Sequence, residues 1–333
     1  MRRSAVASFV VALLVVVAGA GTATASGTAE RTGVGTWSRN PRMLSGRGWF
    51  GAAVVDNLMF AVGGDGRGST EAYKPSTRTW RYHAALPDTR DWYAVAAQDG
   101  QIYAFGGLVA QRRGGHSSRE SDRYDPTYDT WTRVAAMPTD RYGAAAVAGL
   151  DGRIYVLGGW STRSNTALTT LEAYSPTTDS WRVLSSMHAA RQSPGAALDA
   201  SGRIYAIGGY NSARGYLRSV ERYNTATDTW TLVGAMREAR AGLAAVTAEN
   251  GRIYAMGGYN PAFAFPFRRT VEIYSPFANA WRAGPPMPTA RANFAAAALG
   301  HRIYALGGQN AGGSRLRTVD SIRPVRPIPA RRP

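Results

Sequence analysis

The chain has 333 residues, of which 44% are hydrophobic and 18% charged, a length that allows one large domain or two ordinary ones. It contains no cysteine, which excludes disulfides, thiol nucleophiles and thiolate metal ligands. The formal net charge of +17 predicts a positive field that favours acidic partners, such as anionic polymers or cell-wall polysaccharide.

The first 25 residues have the pattern of an export signal. Arg2 and Arg3 precede an apolar run over residues 5–18, and residues 23–25 form an Ala-Thr-Ala cleavage motif. The run is shorter than the roughly 20 residues that a membrane-spanning helix needs. We therefore expect a signal peptide over residues 1–25, a disordered segment over 26–35, and a secreted, extracellular protein with no membrane span. An uncleaved anchor is the alternative, and nucleic acid is not an expected partner.

A repeat with a period of about 50 residues runs through the rest of the chain. Each copy has a Gly-Gly pair after a short apolar strand, a tryptophan, and an arginine ten residues after the tryptophan. The pairs begin at Gly63, Gly106, Gly158, Gly208, Gly257 and Gly307. The repeat tryptophans are Trp37, Trp80, Trp131, Trp181, Trp230 and Trp281, and the repeat arginines are Arg47, Arg90, Arg141, Arg191, Arg240 and Arg291. Acids stand nine residues before every tryptophan except the first, at Glu71, Asp122, Glu172, Glu221 and Glu272.

Each copy predicts four short strands in chain order. A small apolar stretch after the repeat arginine forms the first strand, and an Asn-Gly or Asp-Gly pair such as Asp99-Gly100 turns the chain into the strand that ends at Gly-Gly. A loop, a third strand with the acidic residue, a Pro-Thr-Thr-Asp type of turn and a fourth strand beginning at the tryptophan complete the copy. Four hairpin-linked strands per copy indicate a propeller blade.

The Gly-Gly pair, the tyrosine near the end of the third strand and the tryptophan that opens the fourth strand resemble the kelch repeat over residues 36–323. The resemblance implies an all-β, six-bladed kelch-type β-propeller with four antiparallel strands per blade. It also implies ligand contacts just after each Gly-Gly pair and just after each repeat arginine.

The two ends of the repeat region complement each other. Residues 318–322 resemble a third strand with Asp320 as its acid, but Pro329 stands where a tryptophan would open the fourth strand, and Trp37 has no strands before it. We expect residues 37–43 to supply the outer strand of the last blade, which would close the ring and remove an open sheet edge. The Pro- and Arg-rich tail over residues 324–333 is predicted to be disordered.

Only the loop between the second and third strands changes in length: its span from the second glycine to the next acid runs from 7 to 15 residues. Strand parity places these loops at the same end of the blades as the connections from each fourth strand to the next first strand. We call this end the loop face and the opposite end the turn face. Because loops on a rigid scaffold commonly carry binding, the loop face is the predicted ligand site.

Three tryptophans outside the repeat, several tyrosines and several amides map to the loop face. Aromatic rings beside amide donors and acceptors suit carbohydrates or extended peptides, although the rings could also merely plug the channel mouth. The predicted binding residues are Trp49, Trp92, Tyr93, Tyr142, Trp160, Gln192, Tyr210, Asn211, Tyr259, Asn260, Asn293, Gln309 and Asn310. The sequence thus favours a monomeric extracellular module that binds a glycan or a protein segment. A structural surface protein without a ligand is a further hypothesis.

Catalysis is the alternative function. The copper site of galactose oxidase-like kelch enzymes needs a cysteine, and the four histidines (His83, His116, His188 and His301) stand at unrelated repeat positions, so no metal or cofactor is expected. A sialic acid-like epimerase or mutarotase would need an acid and a base beside one sugar ring. The acidic candidates are Asp65, Asp91 and Glu120, and Arg67, Arg119, Arg214, Arg268 or Arg315 could hold a carboxylate.

The repeat arginines and the third-strand acids recur once in every blade. We interpret them as structural ion pairs or backbone hydrogen bonds. A ring of arginines that binds an anion is the alternative.

Overall fold

The structure, a computed structural model, describes residues 35–109 and 115–324. The predicted signal peptide and nearly all of the segments 26–35 and 324–333 lie outside these ranges. Within the described ranges all regular elements are strands, and 24 of the 31 strands form six four-stranded antiparallel sheets. Within the same ranges, no helix has the length and apolarity to cross a bilayer.

The six sheets are numbered here as blades 1 to 6 in chain order. The strands of each blade are given from first to fourth. Blade 1 contains Gly51–Val55, Leu58–Val62, Thr70–Lys74 and Thr79–His83, and blade 2 contains Ala94–Gln98, Gln101–Phe105, Ser121–Asp125 and Thr130–Val134. Blade 3 contains Ala145–Ala148, Ile154–Leu157, Leu171–Ser175 and Ser180–Leu184, and blade 4 contains Gly195–Leu198, Ile204–Ile207, Val220–Asn224 and Thr229–Val233. Blade 5 contains Ala244–Thr247, Ile253–Met256, Val271–Ser275 and Ala280–Gly284, and blade 6 contains Ala295–Leu299, Arg302–Leu306, Val319–Ile322 and Trp37–Asn40.

The first strands of neighbouring blades contact one another, and the first strand of blade 6 contacts that of blade 1. Seven two-residue strands lie in the connecting segments: Arg90–Asp91, Leu108–Val109, His116–Ser117, Trp160–Ser161, Thr166–Ala167, Tyr210–Asn211 and Gly215–Tyr216. The chain therefore adopts the predicted all-β arrangement of six kelch-type blades.

Blade 6 contains both ends of the repeat region. Trp37 lies opposite Ile322 and Asn40 lies opposite Val319 in an antiparallel pair. The Arg39 guanidinium reaches the Asp320 carboxylate at 3.0 Å. The fourth strand of the last blade thus comes from the amino-terminal side of the chain, as predicted, but it ends at Asn40 and not at residue 43.

The six repeat tryptophans join neighbouring blades. Each indole N–H donates to a backbone carbonyl oxygen of the preceding blade at 2.6–3.0 Å. The acceptors are Pro285 for Trp37, Pro41 for Trp80, Ala84 for Trp131, Ala135 for Trp181, Ser185 for Trp230 and Gly234 for Trp281. Because a buried indole N–H needs an acceptor, these bonds hold each blade at a set position against its neighbour.

Each repeat arginine is buried against the third-strand acid of the blade that it precedes. The closest N–O distances are 2.7 Å for Arg47–Glu71, 2.7 Å for Arg141–Glu172, 2.9 Å for Arg191–Glu221, 3.0 Å for Arg240–Glu272 and 2.5 Å for Arg291–Asp320, and Arg90 pairs with Asp122. Five of these arginines also donate to the carbonyl of the first glycine of a Gly-Gly pair. The structural interpretation of the six pairs is therefore confirmed.

Candidate binding face

The residue after the repeat arginine lies beside the residue after the Gly-Gly pair. Isolated antiparallel bridges of this kind join Tyr142 to Trp160, Gln192 to Tyr210, Ala241 to Tyr259 and Ala292 to Gln309. The two sets of segments that strand parity assigned to one end of the blades are thus in direct contact, and the loop face exists as predicted.

A closed ring of backbone hydrogen bonds lies at the centre of the loop face. It uses the residue two positions after each repeat arginine, whose N–H donates at 2.7–2.9 Å to the carbonyl of the same position in the preceding blade. These residues, called the axial ring here, are Trp49, Trp92, Gly143, Ser193, Gly242 and Asn293. All six have φ between 50° and 66°, in the left-handed region.

Blades 1 and 2 place tryptophans in this ring, although the left-handed conformation favours glycine or asparagine. Each such bulky residue costs roughly 1–2 kcal/mol of backbone strain. The Trp49 and Trp92 rings stack at 5.0 Å with an angle of 16° between their planes, and Tyr142 contacts Trp92 edge-on at 5.6 Å. Aromatic pairs contribute about 0.5–1.5 kcal/mol beyond their buried area, which offsets part of the strain.

The residue after each member of the axial ring belongs to a second layer, and the two layers together line a cavity of ≈ 120 Å³. This layer consists of Phe50, Tyr93, Ala144, Pro194, Leu243 and Phe294, of which the sequence analysis selected only Tyr93. The signal that could have found the others is their common position three residues after the repeat arginine.

Tyr93 is buried below the ring. Its hydroxyl occupies the space that a side chain on Gly63 would need, and burial raises the pKa of Tyr93 above its ordinary value. Among the described residues, neither the Tyr93 hydroxyl nor the Trp49 indole N–H has a hydrogen-bond partner.

A second aromatic group lies on blades 4 and 5. Tyr216 contacts Tyr210 at 5.1 Å and Tyr259 at 5.9 Å, and Tyr259 contacts Phe267 at 5.1 Å. With Trp92 of the axial ring, the three tyrosines line a cavity of ≈ 260 Å³, called the aromatic cavity here. The sequence did not indicate Tyr216 and Phe267, because they lie inside loops of variable length and have no fixed position in the repeat.

Two predicted amides also line the aromatic cavity. Gln192 and Asn293 are half-buried there, and the Asn293 side-chain amide donates to Gln309 Oε1 at 3.2 Å. Gln309 itself is only 9% exposed, so this hydrogen bond anchors the Asn293 side chain to a buried residue.

Other predicted amides stabilise their own loops. Asn211 and Asn260 are buried, and their side-chain amides donate to the carbonyl oxygens of Ala190 and Ala239 at 3.0 and 2.7 Å. The Asn310 side-chain oxygen accepts two backbone N–H groups of its own turn. Both polar atoms of the Asn211 and Asn260 side chains and the side-chain oxygen of Asn310 are therefore already paired within the protein.

Trp160 is linked to Tyr142 of the loop face through backbone hydrogen bonds. It exchanges two backbone hydrogen bonds with Tyr142 at 2.8 and 3.0 Å, and its ring is half-buried. The structure thus brings together Trp49, Trp92 and Tyr142 by ring contacts, with Trp160 at the side of Tyr142.

The three acidic candidates have different surroundings. Arg315 reaches from blade 6 to Asp91 at 3.2 Å, and its guanidinium lies 5.7 Å from the centre of the Trp49 ring. Burial raises the pKa of Asp91 above its ordinary value even though Arg315 acts in the opposite direction. Glu120 pairs with Arg133 at 2.8 Å and lines neither of the two cavities.

Asp65 stabilises a turn of blade 1. Its carboxylate accepts the N–H of Arg67 at 3.0 Å and the hydroxyl of Ser69 at 2.5 Å. Burial alone would raise the pKa of Asp65, but the hydrogen bonds from Ser69 and Arg67 outweigh it and hold that pKa below its usual value. No set of three or more histidine, aspartate or glutamate side chains in the described ranges is arranged to hold a metal ion.

Comparison with known proteins agrees with this architecture. No curated protein matches the chain at a significant level. The solved structure of the protein YjhT superposes on it with a TM-score of 0.73 at 15% identity, covering 84% of this chain and 95% of YjhT, which shows a shared fold. The family model described as the Attractin/LZTR1 β-propeller matches residues 102–320. The match covers well over half of the chain, and the chain therefore belongs to the Attractin/LZTR1 β-propeller family.

Proposed function

We propose that this protein is an exported propeller that binds a carbohydrate in the aromatic cavity of its loop face. The observation that carries the proposal is the set of half-exposed rings of Trp92, Tyr210, Tyr216 and Tyr259 around one cavity with the amides of Gln192 and Asn293. Export is supported by the basic, apolar and Ala-Thr-Ala segments of residues 1–25.

The chemistry of the cavity suits sugars. A sugar ring has apolar C–H faces that stack on aromatic side chains, and hydroxyl groups around its edge that bond to amides. The cavity volume of ≈ 260 Å³ lies just below the roughly 300–1,000 Å³ that is usual for pockets that enclose drug-sized ligands, so the cavity fits part of a sugar chain that continues onto the surrounding loops. Its walls come from several blades whose relative position is held by the axial ring, so little ordering is needed on binding.

The test combines a glycan array with titration calorimetry on the best oligosaccharide. We expect the Tyr210→Ala/Tyr259→Ala variant to bind at least about tenfold more weakly while its circular dichroism spectrum is unchanged. Tyr128→Ala is the matched control, because Tyr128 is a 76% exposed tyrosine on the turn face, and it should bind as the wild type does. Full affinity in a folded Tyr210→Ala/Tyr259→Ala variant would contradict the proposal, as would an array on which peptides bind and glycans do not.

A second candidate function is proton transfer to a sugar at the axial ring, which is favoured by the position of Asp91 3.2 Å from Arg315, whose guanidinium lies 5.7 Å from the centre of the Trp49 ring, and by the burial that raises the pKa of Asp91. If Asp91 acts in this way, the protein accelerates the interconversion of sugar anomers, and Asp91→Asn removes the acceleration while the affinity for the sugar is retained. The interconversion can be followed by NMR. Rates equal to those of the buffer across aldoses and sugar acids would exclude this candidate.

A further inference from the structure

The charge of the propeller is divided unequally between its two faces. In the described parts of the six segments that join second to third strands, nine arginines stand against two acids, Asp65 and Glu120, a net charge of +7. The arginines are Arg67, Arg119, Arg163, Arg214, Arg218, Arg268, Arg269, Arg315 and Arg317.

The connections from fourth to first strands reduce this excess only slightly. Apart from the repeat arginines, which are neutralised by their buried acids, they contain Arg42 and Arg237 against four acids, so the loop face keeps a net charge of +5. The hairpins and turns of the opposite face contain five arginines and eight acids within the described ranges, a net charge of −3. The positive charge is thus concentrated at the end that carries the aromatic cavity.

Most of the nine loop arginines have no carboxylate partner. In the part of the chain that the structure describes, Arg268 pairs with Glu238 at 2.6 Å and Arg315 pairs with Asp91 at 3.2 Å, and the other seven form no ion pair. Like charges gathered without counter-charges destabilise a folded protein and attract anions, so this face favours a negatively charged ligand.

The arginines stand on the same loops as the aromatic side chains. Arg214 and Arg218 are exposed on either side of Tyr216 in blade 4. The Arg268 guanidinium lies 4.3 Å from the centre of the Phe263 ring in blade 5, and Arg269 beside it is exposed. A ligand in the aromatic cavity would therefore extend from stacking rings onto guanidinium groups.

We infer that the ligand is an anionic polysaccharide, whose sugars carry carboxylate or sulfate groups that the loop arginines bind. This inference rests on the proposed carbohydrate site and specifies its ligand class. The planar guanidinium matches a carboxylate or sulfate with two parallel hydrogen bonds, and it stacks on aromatic rings, so arginine serves both sugar acids and the cavity that holds them.

The experiment measures affinity by calorimetry for polygalacturonate, heparin and neutral dextran, at about 20 mM and about 300 mM NaCl. Polygalacturonate and heparin separate carboxylate from sulfate recognition. We expect at least one of them to bind tenfold or more tightly than dextran at low salt, with the difference reduced at high salt. The variant Arg214→Gln/Arg218→Gln/Arg269→Gln should lose about tenfold for the acidic polymer and nothing for dextran.

The matched control is Arg153→Gln/Arg203→Gln/Arg252→Gln, which removes the same charge from the turn face and should change affinity less than about twofold. Dextran binding equal to that of both acidic polymers would overturn the inference and leave the proposed function standing. Failure of all three polymers to bind would overturn the inference, and the glycan array would then decide the proposed function. Equal losses in the two triple variants, or tighter binding of a single-stranded oligonucleotide than of either polymer, would also overturn the inference.

Discussion

The backbone N–H of Trp49 donates a 2.8 Å hydrogen bond to the carbonyl oxygen of Asn293, which joins blade 1 to blade 6 at the centre of the loop face. The Trp80 indole joins the same two blades farther out through the carbonyl of Pro41. Blades 6 and 1 thus meet through the same bonds as every other neighbouring pair. Among the six blades that the structure describes, blade 6 alone combines strands from the two ends of the repeat region, and these ends meet between Trp37–Asn40 and Val319–Ile322.

That junction predicts how the chain responds to shortening. Deleting residues 1–40 removes the fourth strand of blade 6 and the Trp37 indole, so an unpaired edge and an unfilled contact against blade 5 remain. We expect the free energy of unfolding to fall by more than about 3 kcal/mol, the cost of truncating a packed tryptophan alone. Deletion of residues 1–34, which keeps the strand, is the control in thermal unfolding followed by circular dichroism. Equal stability of the two shortened chains would contradict this prediction.

Backbone strain in the axial ring predicts an unusual order of stabilities at position 92. Glycine adopts the φ of 66° freely, whereas a β-branched valine is strained there. We expect Trp92→Gly to be at least about 1 kcal/mol more stable than Trp92→Val, although valine buries more apolar surface. Urea unfolding of the two variants measures the difference. A more stable Trp92→Val would show that the ring does not hold this conformation in solution.

The Arg191–Glu221 pair predicts a pH-dependent contribution to stability. Glu221 accepts hydrogen bonds from Arg191 at 2.9 Å and from the backbone N–H of His188 at 2.7 Å. Burial would raise the pKa of Glu221, but these bonds outweigh it and hold that pKa below the ordinary 4.5. The charged form therefore stabilises the fold above pH 4.5, and this contribution is lost as the pH falls through the lower, folded-state pKa.

At pH 7 we expect Glu221→Gln to lower the free energy of unfolding by about 3 kcal/mol, because Arg191 is left buried without a counter-charge. The difference from wild type should shrink when urea unfolding is repeated below the folded-state pKa. An equal difference at both pH values would show that the carboxylate charge plays no part.

Asp91 predicts the opposite dependence. Its folded-state pKa is raised above 3.8 by burial, so its contribution is favourable below pH 3.8 and is lost as the pH rises through the folded-state value. We expect Asp91→Asn to be as stable as wild type or more so at pH 7. Removing the nearby cation in Arg315→Gln should raise the pKa of Asp91 further, which carboxyl-carbon NMR can follow. A lower pKa in that variant would contradict the assigned role of Arg315.

The blades could be predicted from the sequence because their determinants are local. Each hairpin depends on a turn pair and a strand that lie within a few residues of each other. All six repeats have the same ten-residue spacing from tryptophan to arginine, as from Trp131 to Arg141, which indicates six copies of one structural unit. Parity of the four strands then assigned the variable loops to one face. The same reasoning located Trp49, Trp92, Tyr210 and Tyr259 on that face.

Only the tertiary structure decided how those residues combine. The stacking of Trp49 on Trp92, the bond from Arg315 to Asp91 and the grouping of Tyr216 with Tyr259 join residues of different blades, so they depend on the position of one sheet against the next. The amides show the same limit. Asn211 and Asn293 have equal hydrogen-bonding capacity in the sequence, but the fold turns Asn211 inward to the carbonyl of Ala190 and leaves Asn293 at the aromatic cavity. A repeat specifies its own strands through short-range turns and periodicity, whereas contacts between repeats are set by the packing of whole sheets.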